Sequence, residues 1–299
     1  MVRKEVVRAV VVVLAVVLVG GLAFSWYVGG VLIQPALRPV APPPPELAAS
    51  GVTFASQSGA TIHAWYSRGM PGHGAVLLFH GVGADRSAMV GRAVFLHALG
   101  YSVLAIDFQA HGESVGEHIT VGDLESWDVV AASEFMHRAL PEERVGAIGV
   151  SMGAAAVVLA KKPLGLSAVV LESMYPTIED ALDDRMKMAL GPWGVICTPL
   201  LTVQLKPRLG VYPSRLRPID SIARLGAPLL LIHGSEDHHT TIAEAQREFA
   251  AAAAPKTFWA ISGAAHVDLH DFAREEYERR IDAFFAEHLS AGVARAERH

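Results

Sequence analysis

Residues 145–161 read VGAIGVSMGAAAVVLAK, and the division of these letters into a strand, a turn and a helix decides the fold. Val145 to Val150 is a short apolar run of strand length, while Ala154 to Lys161 has helical composition. Between them lies Gly149-Val150-Ser151-Met152-Gly153, a G-x-S-x-G pattern in strand-turn-helix context. A serine on so sharp a turn is strained, and side chains at the flanking positions would collide with neighbouring backbone, so glycine is required there. The turn exposes the hydroxyl. It also sets Ser151 at a helix amino terminus, where unpaired N–H groups and the helix dipole favour developing negative charge.

Outward from this turn, Ala75–Phe79, Ser102–Ile106, Ala168–Leu171, Leu229–Ile232 and Thr257–Ile261 also read as strands. Most are nearly continuous apolar runs, the signature of strands buried on both faces. Helical patterns such as Arg86–Leu99 and Val121–Arg138 lie between them and supply covering layers, which gives an α/β architecture. Val52–Ala55 and Thr61–Tyr66 alternate more and suit an antiparallel edge hairpin. From Tyr175 to Pro218 the rhythm breaks. No strand pattern appears there, while Pro, Gly, Met and the large apolar residues Trp193, Ile196 and Leu200 accumulate. The stretch reads as a helical cap over the carboxyl ends of the strands, where ligands of open α/β sheets bind; an ordinary helical pair on a sheet face is the alternative.

A serine hydroxyl is a poor nucleophile at neutral pH, so Ser151 needs a base to take its proton and a carboxylate to orient that base. Asp237 follows the strand Leu229–Ile232, and His266 follows Thr257–Ile261, which gives the chain order nucleophile, acid, histidine. With fourteen histidines in the chain, His266 is chosen by its position after the last strand and before the final helical run Asp268–Leu289. Glu236 and Glu172 are substitutes for the acid. His233, Asp237, His238 and His239 form a dense group of potential metal ligands without the spacing of a recognised motif, so no metal is assigned. An oxyanion needs donors: the N–H of Met152 is one, and the Gly-rich turn His80-Gly81-Val82-Gly83 offers that of Val82 as the other. His80 and the turn Asp107–Ser114 read as structural.

The chain has 299 residues, 52% of them hydrophobic, enough for a large buried core. A net charge of −5 supplies no basic footprint, so nucleic acid is not an expected partner. The lone Cys197 excludes an internal disulfide and any cysteine-based zinc site. Ala9 to Leu37 runs 29 residues without a charge. A bilayer core of about 30 Å needs roughly 20 helical residues, so a span near Val6 to Val28 fits, with Trp26 and Tyr27 at the interface. Arg3, Lys4 and Arg8 precede it, which predicts a cytoplasmic amino terminus and an extracytoplasmic domain. A cleaved signal peptide is the alternative, but its apolar core covers only about 7 to 15 residues. Pro35, Pro39 and Pro42 to Pro45 predict a semi-rigid spacer. The expected organisation is an anchor over 1–33, a linker over 34–49, a domain over 50–290 with its cap near 175–218, and a tail over 291–299.

Taken together, His80-Gly81, Asp107 to Ser114, the Gly149 to Gly153 turn, Gly234 with Asp237, and Gly263 to His266 resemble the α/β-hydrolase superfamily over about Val52 to Leu289. More closely, the chain looks like bacterial hydrolases and abhydrolase-domain proteins with an amino-terminal membrane segment and an esterase-like domain. The resemblance implies a mostly parallel eight-stranded sheet with helices on both faces and a cap after the sixth strand. It further implies a serine hydrolase that cleaves a small-molecule or lipid-like acyl ester through an acyl-Ser151 intermediate, with no cofactor. Peptidase or amidase action, thioester or lipid deacylation, and a non-catalytic binding role are the alternatives. His238-His239 departs from the apolar or proline residues usual after the acid.

Overall fold

The structure, a computed structural model, describes residues 2–290; the expected tail 291–299 lies outside the described residues. Helix α1 (Val2–Leu32) precedes the domain. The domain then runs β1 (Ala36–Leu37), β2 (Ser50–Ala55), β3 (Thr61–Ser67), β4 (Ala75–Phe79), α2 (Val90–Ala98), β5 (Ser102–Ile106) and β6 (His111–Gly112). It continues through α3 (Glu125–Ala139), β7 (Val145–Val150), α4 (Met152–Val158), β8 (Leu166–Glu172), α5 (Ile178–Leu190), α6 (Thr198–Thr202) and α7 (Leu205–Leu209). It closes with β9 (Leu229–Gly234), α8 (Ile242–Ala251), β10 (Lys256–Ile261), α9 (Leu269–Phe272) and α10 (Arg274–His288).

Eight strands form one sheet in the order β10-β9-β8-β7-β4-β5-β3-β2. Only β3 runs against its neighbours, so the sheet is mixed and the edge pair β2 and β3 is the antiparallel hairpin. Strand side chains alternate between faces, and two cores result. Leu77, Phe79, Ala147 and Leu171 pack on one side with Val129 and Met136 of α3 and with α4. Val76, Leu78, Ile148 and Val170 pack on the other with Leu96 of α2 and with Tyr277 and Phe285 of α10. This double burial is why the strands read as unbroken apolar runs.

Three helical stretches differ from their sequence reading for local backbone reasons. The first run opens as a 3-10 turn, Arg86–Met89, before α2. The second begins at Glu125 instead of Val121, because Val121 and Gly122 hold positive φ angles that a right-handed helix excludes. The last splits at Ala273, whose φ of −131° and ψ of 42° separate α9 from α10.

Between β8 and β9 no strand occurs among the described residues; α5, α6 and α7 alternate with 3-10 turns and irregular backbone. The buried residues Ile178, Leu182, Leu201, Leu205, Val211 and Leu216 of this stretch form a third apolar cluster of their own. The proline-rich stretch does not stand free as the spacer its composition suggests. β1 pairs in parallel with β6, Leu47 is buried at 1% exposure, and the Ser67 hydroxyl donates to the Leu47 carbonyl. Proline imposes extended backbone, and extended backbone can lie along a strand edge as readily as in solvent.

Candidate active site

Ser151 sits between β7 and α4 with φ 52° and ψ −114°, a conformation that costs a non-glycine residue about 1–3 kcal/mol. The glycines around it are there for space. A Cβ on Gly149 would lie 2.7 Å from the Ala154 backbone, and one on Gly153 would lie 2.6 Å from the His80 carbonyl oxygen. The Ser151 N–H extends the ladder between β7 and β8 by donating to the Glu172 carbonyl at 2.7 Å. The turn is thereby fixed at both ends, and the side chain faces a cavity of about 330 Å³ at the carboxyl end of the sheet. Gly81, Val82, Ser151, Arg185, His239 and His266 are among the residues that line it.

Two loops bring the acid and the histidine together. The Ser235 N–H donates to the Ile261 carbonyl at 2.9 Å, the Glu236 N–H to Ala264 at 2.8 Å, and the Gly263 N–H to the Ser235 hydroxyl at 2.9 Å. These cross-links place His266 Nδ1 2.7 Å from Asp237 Oδ2. The same carboxylate oxygen accepts from the Thr240 hydroxyl at 3.2 Å, while Oδ1 accepts the N–H groups of His239 at 2.8 Å and Thr240 at 3.1 Å. Burial of Asp237 opposes its charge, yet the His266 hydrogen bond and charge, with the Thr240 N–H, outweigh it and hold the carboxyl below its usual range. A carboxylate that stays ionised accepts a proton-bearing Nδ1, which leaves Nε2 of His266 as the basic nitrogen. Ser151 and His266 line the same cavity without a hydrogen bond between them among the described residues, a separation common before substrate tightens such sites.

Neither substitute acid is free for that role. Glu236 is exposed. Glu172 accepts from Arg92 Nε at 3.0 Å and Nη2 at 2.6 Å and from the Tyr277 hydroxyl, so both its oxygens are engaged. Of the potential metal-ligand group, His233 donates from Nε2 to the Thr240 carbonyl at 2.7 Å, and His238 is exposed.

The Val82 loop is held from behind by the turn that follows β5. His80 donates from Nδ1 to the Gly81 carbonyl at 2.7 Å and accepts the Phe108 N–H at Nε2 at 3.2 Å. Burial first, and then His111, push its pKa down to about 3, so it is a neutral positioning group. His111 Nε2 accepts the Gly83 N–H at 3.1 Å, and Arg38 donates to the Gly83 carbonyl and pairs with Asp85 at 3.2 Å. A Cβ on Gly81 would lie 3.5 Å from that of Ser151, which sets the Gly81-Val82 peptide against Ser151. Met152 opens α4, where an N–H has no partner inside the helix.

Two further residues line the cavity: Arg185, which no motif marks, and His239, which the sequence marks only within the potential metal-ligand group. His239 packs at a tilt against His266 with ring centroids 4.9 Å apart, and burial, His266 and Arg185 lower its pKa. Arg185 reaches the cavity from α5 and donates to the Ala181 carbonyl at 2.9 Å. Among the described residues no carboxylate lies within 4 Å of its guanidinium, whereas the buried Arg86 and Arg92 each pair with two. Which residue of the stretch between β8 and β9 faces the cavity depends on how that stretch packs, and no motif encodes that.

A family model described as serine aminopeptidase, S33, matches residues 71–213. An uncharacterized protein of Mycobacterium tuberculosis strain H37Rv, Rv2307c, is 31% identical over 265 residues, covering 87% of this chain and 88% of that protein. The uncharacterized Bacillus subtilis protein YqkD is 23% identical over 222 residues, covering 70% of each. Among solved structures, the Pyrococcus furiosus esterase Pf2001 superposes with a TM-score of 0.69 at 25% identity, over 86% of this chain and all of that one. The esterase domain of a Rhodothermus marinus protein superposes with a TM-score of 0.57 at 21% identity, over 80% of this chain and 99% of that one, a likeness of fold.

Proposed function

The chain belongs to the α/β-hydrolase superfamily, and from that membership we propose that it is a serine hydrolase that cleaves a carboxylic ester through an acyl-Ser151 intermediate. The observation that carries the reading is the 2.7 Å hydrogen bond between His266 and Asp237 on the wall of the cavity that Ser151 lines. In this mechanism His266 Nε2 takes the Ser151 proton as Oγ attacks the ester carbonyl, and Asp237 stabilises the imidazolium that results. The N–H groups of Met152 and Val82 receive the oxyanion. His266 then gives its proton to the departing alkoxide, and water repeats the sequence to release the acid and free Ser151. The solved esterases of the same fold support the ester as the bond cut.

Replacing Ser151 with Ala tests the mechanism. Turnover of short acyl esters should fall to background, and a fluorophosphonate probe that labels the native chain at Ser151 should no longer label the variant. Undiminished hydrolysis by Ser151→Ala would refute the assignment.

The description of the matching family favours a second reading, cleavage of an amino-terminal residue from a peptide. Such a substrate brings a cationic ammonium into the cavity, where Arg185 forms no ion pair within 4 Å among the described residues, although Asp184 and Asp237 lie near enough to act on its charge. Like charges repel, so the ester is preferred; faster turnover of aminoacyl amides than of esters would reverse that order. α1 is long and apolar enough to cross a membrane. With Arg3, Lys4 and Arg8 preceding the apolar run, the proposed topology is a single pass with a cytoplasmic amino terminus and an extracytoplasmic domain.

A further inference from the structure

The cap carries an apolar stripe that no part of the described chain covers. Trp193 and Ile196 of the 3-10 helix Pro192–Cys197, Leu200 of α6 and Val203 just after it are spaced three, four and three residues apart, and their exposure shows that they share the outer side of this stretch. They are 81%, 68%, 39% and 69% exposed, while Thr198, Leu201 and Leu205 on the other side are buried. Leu190, at the end of α5 just before the stripe, is 61% exposed.

The stripe adjoins α1 at a particular level. At 1.5 Å per residue the helix rises about 29 Å from Arg8 to Tyr27, close to the ~30 Å of a hydrocarbon core. α1 would therefore leave the apolar layer near Trp26 and Tyr27, aromatic residues that suit a membrane interface. At that height the cap is bonded to it. The Ser25 hydroxyl donates to the Leu200 carbonyl at 3.3 Å, and Gln204 Nε2 donates to the Ser25 carbonyl at 3.1 Å. Arg208 donates to the Trp26 carbonyl and stacks its guanidinium 3.9 Å from the indole centroid.

We infer that the stripe Trp193, Ile196, Leu200 and Val203 lies in the interfacial layer of the bilayer that α1 crosses, so that the cap is a second membrane contact of this protein. The occupant is lipid because Leu200 belongs both to the stripe and to the junction with α1, which makes the exposed face continuous with the lipid-facing helix. An apolar helical face held in the plane of an interface buries its side chains among headgroups and the first acyl carbons. The inference rests on α1 being a membrane span, and it is independent of the reaction at Ser151.

The test uses the full chain with Cys197→Ser, reconstituted in phosphatidylcholine and phosphatidylglycerol vesicles. Single nitroxides are attached through Ile196→Cys, Val203→Cys, Val16→Cys or Met70→Cys, and collisions with oxygen and with a water-soluble nickel chelate are compared. Val16 reports the span; Met70 reports water, since its N–H bonds to Gly100 just ahead of β5, at the end of the sheet away from the cavity. The labels at 196 and 203 should favour oxygen over nickel, as at 16 and opposite to 70. Nickel access at 196 and 203 equal to that at 70 overturns the inference. So does protection from both reagents with spin–spin broadening, which would mean contact between copies. Nickel access at 16 would remove the span itself and the inference with it.

Discussion

At the scale of single residues, the site separates groups whose place follows from chain order from groups whose place follows from packing. Ser151, Asp237 and His266 each follow a strand that the sequence delimits, and the structure brings Asp237 and His266 within 2.7 Å. Arg185 was not legible, and His239 was read only as a potential metal ligand, because the first faces the cavity through the lie of α5 and the second through its tilted ring contact with His266. Arg185 leads to a prediction about selectivity. A partly buried guanidinium with no carboxylate in direct contact, Asp184 and Asp237 acting on it only from beyond 4 Å, suits an anionic group on the substrate. A charge-assisted hydrogen bond contributes about 1.5–3 kcal/mol, so wild-type protein should prefer an acyl ester bearing a carboxylate over its neutral isostere. Arg185→Gln should lower the ratio of the two kcat/KM values by about 10- to 100-fold. An unchanged ratio would leave Arg185 without a role in substrate choice.

At the scale of elements, the strands were the most legible part, since a run buried on both faces has no polar positions to blur its ends. Helix starts were less so, as at Val121 and Ala273, where a single backbone angle sets the boundary. Helix α8 carries a consequence invisible in sequence. Glu244 accepts the Thr241 N–H at 2.6 Å as half of a capping box, yet it lies partly buried beside Asp184 and Asp180 of α5. Burial, with those neighbours, raises its pKa to about 7. A carboxyl whose pKa is higher folded than unfolded stabilises the fold below the unfolded pKa, and that contribution is lost as pH rises through about 7. Thermal stability should therefore decline from pH 5 to pH 8. Glu244→Gln keeps a capping acceptor without the charge and should flatten the decline, with a gain of about 1–2 kcal/mol at pH 8 after allowance for solvent screening. Parallel stability curves for the two proteins would count against this account.

At the scale of the whole molecule, composition gave the apolar helix, the α/β domain and the break in rhythm where the cap lies. It did not give the packing of the proline-rich stretch, because extended backbone has the same composition whether it is solvated or laid along an edge. That stretch reaches the site: Arg38 holds the Gly83 carbonyl and Asp85, next to the peptide expected to bind the oxyanion. Arg38→Ala should thus lower kcat by about tenfold, short of the 10²-fold or more that outright loss of a donor costs. KM and the melting temperature should stay near their wild-type values. A fall in stability matching the fall in rate would assign Arg38 to folding alone.

Only five residues separate the end of α1 at Leu32 from Arg38. A protease that cut the chain between this helix and the sheet, at the prolines beyond Arg38, would shed a domain with its fold largely intact. Arg38, the strut behind the Gly81–Gly83 loop, would stay with the α1 stump, in the membrane if α1 is the proposed span. Under the proposed topology, release of the domain would then act as an off-signal and not as a means of dispersal, and the proposed hydrolase would be fully competent only where it is tethered.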